Sequence, residues 1–137
     1  MTTRRRAREV VLQMLFQLET SKEDSREVVK TYKACFGEGP LPNEFSIDLF
    51  FKVADSISEL DETIITASEN WRLERMSFVD RNVLRIGVHE LLKNEDTPPR
   101  VVINEAVELA KNFGTEDSAA FVNGILDRIA RDSRRLN

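Results

Sequence analysis

Residues 96–130 read DTPPRVVINEAVELAKNFGTEDSAAFVNGILDRIA. Val102, Ala106, Leu109, Ala110 and Phe113 recur at intervals of three and four, which lays one apolar stripe along a helix and does not match the two-residue alternation of a strand. Asp96-Thr97-Pro98-Pro99 supplies the start: Thr97 can cap, and Pro98 brings the fixed φ suited to the first helical position. Gly114 suits the left-handed position after the last turn. Thr115 or Asp117 then caps a further helix that turns Val122, Ile125, Leu126 and Ile129 inward. Asn123-Gly124 would signal a hairpin in a β-protein, yet here it lies inside the helical stripe. A mid-helix glycine costs about 1 kcal/mol against alanine, so Gly124 is expected to admit another backbone, a packed helix ahead of a ligand.

Upstream the same period continues. Ala7, Val10, Val11, Met14, Leu15 and Leu18 form a stripe over about residues 3–20, with Leu12 and Phe16 on the opposite side. A second helix spans about residues 24–35, capped by Ser21 or Asp24 and ended by Gly37. Residues 37–43, with Gly39, Pro40 and Pro42, are the clearest loop and the best candidate for a sub-domain boundary. From residue 44 to about 70 the pattern Phe45, Leu49, Phe50, Val53, Ile57, Leu60, Ile64 predicts one long or slightly broken helix. After Trp71 and a short irregular piece, residues 78–94 form a helix with Leu84, Val88, Leu91 and Leu92 inward. Six to seven helices with short connections make an all-α bundle, and 137 residues fit one domain over residues 1–137.

Charge distribution narrows the function. The net charge is −4, but residues 1–8 hold Arg4, Arg5, Arg6 and Arg8 with no acid, and residues 128–137 hold Arg128, Arg131, Arg134 and Arg135 against Asp132. Between them lie 12 basic and 23 acidic residues, so two basic ends flank an acidic body. Such ends either form a phosphate-binding patch or are solvated tails. No apolar run approaches the roughly 20 residues of a membrane span, and no secretory h-region follows the basic start, so a cytoplasmic protein is expected. Cys35 is the single cysteine, expected as a small core residue, and with only His89 beside it there is no zinc set and no hydrolytic triad. Neither catalytic residues, nor a cofactor, nor a metal site is expected.

Three segments, in this order and spacing, resemble the NusB family: Arg4-Arg5-Arg6-Ala7-Arg8-Glu9 running into Gln13-Met14-Leu15-Phe16; Asp80 to Ile86 with Glu90-Leu91-Leu92 and Asp96-Thr97-Pro98; and Ile103 to Lys111 with Phe113-Gly114, Ser118 and Phe121-Val122-Asn123-Gly124. The resemblance implies two roughly perpendicular three-helix bundles. It also implies a transcription antitermination factor that joins the ribosomal protein NusE on boxA single-stranded RNA and helps RNA polymerase read through terminators in ribosomal RNA operons. His89 stands where tyrosine is common in the family, and no role is assigned to it.

On this pattern the RNA-binding candidates are Arg4, Arg5, Arg6, Arg8, Phe16, Phe113, Asp117, Ser118 and Phe121. Arginine neutralises phosphate and stacks on bases, and aromatic rings gain about 1–3 kcal/mol per stacked base. Read from the residues alone, Phe113 and Phe121 could instead be core residues, and Asp117 and Ser118 equally suit capping. The partner-binding candidates are Glu74, Asp80, Arg81 and Arg85, for which a solvated ion-paired face is the plainer alternative. The competing function is a helical adaptor that binds only proteins. The sequence leaves open a homodimer of the free protein.

Overall fold

α1 (Arg4–Thr20), α2 (Ser25–Phe36), α3 (Glu44–Ala54), α4 (Ile57–Ala67), a 3₁₀ turn (Leu73–Arg75), α5 (Phe78–Lys93), α6 (Pro99–Phe113) and α7 (Ser118–Asp132) follow one another in a computed structural model that describes residues 4–36, 39–69 and 71–133. Among the described residues every regular element is helical, so the protein is all-α. The chain divides into two compact units, residues 1–55 and 56–137.

In the first unit α1 packs on both α2 and α3. Its stripe closes as the period demands: Ala7, Val10, Val11, Met14 and Leu15 are buried, and so is Leu12 from the other side, whereas Phe16 is 49% exposed. α2 begins with reciprocal capping, Glu27 N donating to Asp24 Oδ1 at 2.9 Å and Asp24 N to Glu27 Oε1 at 3.1 Å, which satisfies two helix-end donors. α3 begins likewise, through Asn43 and Ser46. Cys35, expected in the core, is exposed, because α2 spends its buried positions on Val28, Val29 and Tyr32 and its last turn projects past them.

The long or slightly broken helix expected over residues 44–70 is the broken one, two separate helices. α3 stops at Asp55 and α4 starts from Ser56, consecutive residues whose short polar side chains compete for backbone groups and weaken helix continuation. The boundary between units falls there, not in the Gly/Pro loop at residues 37–43.

In the second unit α5 is the central helix, in contact with α4, α6 and α7 and buried continuously from Asn82 to Leu91. Gly87 lets α7 approach: a Cβ there would lie 2.7 Å from Leu126 Cδ1. The start of α6 differs by one residue from expectation, with Pro98 the cap and Pro99 the first helical residue. Gly114 is extended (φ −104°) and not left-handed. Its requirement is spatial, since a Cβ would collide with Ser118 Oγ and sit 2.8 Å from the Ala110 carbonyl oxygen.

Candidate nucleic-acid interface

The first turn of α1 carries no acid, and Arg4, Arg5 and Arg6 are exposed there. Helix amino-terminal ends carry partial positive charge, so cations at this end oppose the dipole by about 0.3–1 kcal/mol each while reinforcing attraction for an anion. A helix shaped for stability alone places carboxylates at these positions. Arg6 pairs loosely with Glu9 at 3.8 Å. Arg4 lies with its guanidinium carbon 4.7 Å from the Phe45 ring centroid, a cation–π contact that orients one edge of the cluster.

Arg8 departs from its expected place. It is only 5% exposed, with its guanidinium carbon 5.5 Å from the same Phe45 ring, because the helical turn carries position 8 round toward α3. It lies over the Phe45 ring and does not stand in the solvent-facing row with Arg5 and Arg6. Phe16, one face away, keeps its ring half in water.

In the second unit the turn from α6 to α7 gathers the remaining candidates. Phe113 is 40% exposed at the end of α6. Phe121 is half-buried and meets Trp71 edge-on, ring centroids 6.3 Å apart at 62°. Trp71 is itself 54% exposed, which makes it an aromatic surface the sequence argument passed over. Its signal was faint: a lone tryptophan in the polar run Glu69-Asn70-Trp71-Arg72, outside any periodic stripe. Asp117 is exposed and its carboxylate makes no capping bond, so capping does not account for it. Ser118 is the reverse: 1% exposed, its hydroxyl accepts from Thr115 N at 3.0 Å, and it shapes the turn with no face toward a ligand.

Gly124 contradicts the packed-helix expectation. It is exposed, and nothing lies within 4 Å of where its Cβ would be. The carboxy-terminal basic end is locally balanced where it is described: Arg128 pairs with Glu69 at 3.0 Å and Arg131 with Asp127 at 2.7 Å. Arg134 and Arg135 lie outside the described residues.

The four partner-surface candidates do not share one exposed charged face. Glu74 is exposed on the 3₁₀ turn. Arg81 is half-buried and donates to the carbonyls of Leu73 and Met76 at 3.1 and 3.0 Å, pinning that turn to α5. Asp80 is half-buried in the first turn of α5, where its backbone N–H donates to Ser77 Oγ at 3.1 Å. Arg85 is buried and grips Asp61 of α4 with two bonds, 2.7 and 2.9 Å, while a third reaches Asn82. Central placement of α5 is the reason: three helices cover most of its circumference. His89 is buried on the same helix.

The NusB family model matches residues 5–131. The chain is 44% identical over 137 residues to the transcription antitermination protein NusB of Sorangium cellulosum, covering all of this chain and 98% of that one. The structure of T. maritima NusB superposes with a TM-score of 0.81 at 39% identity, over 96% of this chain and 92% of that one. A structure of antitermination factors NusB and NusE in complex with dsRNA superposes at 0.76 and 27% identity, over 96% and 99%. Sequence and fold agree along nearly the full length, and the chain belongs to the NusB family of transcription antitermination proteins.

Proposed function

We propose that this protein is a non-enzymatic antitermination factor that binds boxA-type single-stranded RNA jointly with the ribosomal protein NusE, and so promotes read-through by RNA polymerase in ribosomal RNA operons in the cytoplasm. The observation that carries the RNA reading is the exposed arginine row at the positive end of α1, a placement that works against helix stability and for anion binding. Exposed rings at Phe16, Trp71 and Phe113 favour a strand whose bases are open to stacking over a fully paired duplex. The similar structure of antitermination factors NusB and NusE in complex with dsRNA supports NusE and RNA as the two classes of partner.

An acidic body limits long-range attraction to a polyanion, so binding of RNA and of the ribosomal partner is positively coupled. Titrating labelled boxA-type RNA into the protein with and without NusE tests this. The expected gain is about 5–150-fold, and RNA tightens the protein contact by the same factor. Equal affinities in both titrations refute the coupling. NusE binding with no RNA binding at any salt concentration selects instead the protein-only adaptor.

A further inference from the structure

We propose that a cleft in the first unit, walled by α1, α2 and residues 39–41, takes one unstacked base of the bound RNA and prefers guanine; the proposal rests on the RNA-binding reading above. The cleft has a volume of about 350 Å³ and is lined by Arg6, Glu9, Val10, Gln13, Tyr32 and the Gly39-Pro40-Leu41 segment. Small-molecule sites run to about 300–1,000 Å³, so this one suits a single base with its sugar and no longer piece of strand.

Positions 6, 9, 10 and 13 fall on one face of α1, so the cleft opens directly along the helix from the arginine row. Its lining is mostly polar, and Val10, the edge of Tyr32 and the ring of Pro40 supply the apolar part against which a flat base can lie. Its polar groups are oriented. Tyr32 Oη donates to Gln13 Oε1 at 2.5 Å, which leaves the Gln13 amide nitrogen as the group that donates outward. Burial pushes the Tyr32 hydroxyl above its usual range, so it stays a neutral donor at physiological pH.

Glu9 decides the base. A carboxylate only accepts, and its two oxygens match the adjacent N1–H and 2-amino donors of guanine. Adenine and cytosine set an amino group beside a ring nitrogen lone pair that the carboxylate repels, and uracil offers one N–H between two carbonyls. Gln13 or Arg6 then donates to guanine O6. Nothing in residues 9–13 reads as a binding motif in sequence, because Tyr32 and Pro40 complete the cleft from elsewhere in the chain.

The test uses the full chain and oligouridine strands carrying one guanosine, adenosine or inosine at the same position, with binding read by fluorescence anisotropy. The guanosine strand should bind about 5–150-fold tighter than the adenosine strand, the discrimination of one bidentate pair. Inosine, which lacks the 2-amino group, should lose part of that gain. E9Q should abolish the preference and Q13L weaken it, while the slope of log affinity against log salt stays unchanged. Equal affinity for all three strands, or a preference that survives E9Q, overturns the cleft assignment while RNA binding stands. Absence of binding to any strand overturns the RNA reading and this proposal with it. Thermal melts establish that each variant folds, and should E9Q unfold, the inosine strand on the unaltered chain still decides.

Discussion

Two sets of arginines stand in opposite surroundings. On α5, Arg85 is buried against Asp61 and Asn82, and Arg81 is tied to two backbone carbonyls. On α1, Arg5 and Arg6 stand exposed at the helix end whose dipole disfavours them. A guanidinium buried among fixed acceptors holds a fold together, while an exposed one at a positive helix end opposes the dipole, and the proposed RNA site is what would offset that cost.

The largest expected effect falls on the α5 set. Asp61→Ala strips a charge partner from Arg85, whose side chain is 10% exposed, and should cost about 3 kcal/mol by urea unfolding. A loss under about 0.5 kcal/mol would put Arg85 with the solvent-accessible arginines and break the contrast. Phe113→Ala should cost about 1–3 kcal/mol of RNA affinity if its exposed ring stacks on a base. Unchanged affinity moves RNA off the α6–α7 turn.

Arg5→Ala with Arg6→Ala should reduce the salt slope of single-strand binding by about 1.4, two phosphate contacts, while stability is retained or slightly raised. An unaltered slope takes the α1 row out of the site. Phe16→Asp should leave the melting transition nearly unchanged, since surface substitutions stay within about 0.5 kcal/mol, yet impair RNA or partner binding. Loss of cooperative unfolding would instead show that the ring is structural. A last contrast sets two glycines against each other: Gly124→Ala should stabilise by up to about 1 kcal/mol because its Cβ meets nothing, whereas Gly114→Ala should destabilise by crowding Ser118.

Helix number, helix period and the α1 stripe were legible because burial imposes a repeat on the chain. The stop at Asp55–Ser56 was not, since the apolar pattern runs across it and only two weak helix formers mark the place. Arg8 and Arg85 look like Arg5 and Arg6 in a string of letters. What separates them is the presence of Phe45 or Asp61 opposite, a fact of tertiary packing. Ser118 was visible as a helix-start residue, but its use inside the turn depends on the extended backbone at Gly114. Trp71 acquires its aromatic neighbour, Phe121, only in the folded chain.

The protein contains one tryptophan and one tyrosine, and they lie in different units. Trp71 borders the aromatic surface beside α7, and Tyr32 lines the cleft beside α1. Excitation at the red edge of the absorption band addresses the indole alone, and its half-exposed ring should emit like solvated tryptophan and dim when a base settles on it. An unlabelled chain thus carries one optical reporter confined to the second unit, so whether an added strand reaches that unit is readable in one stopped-flow trace.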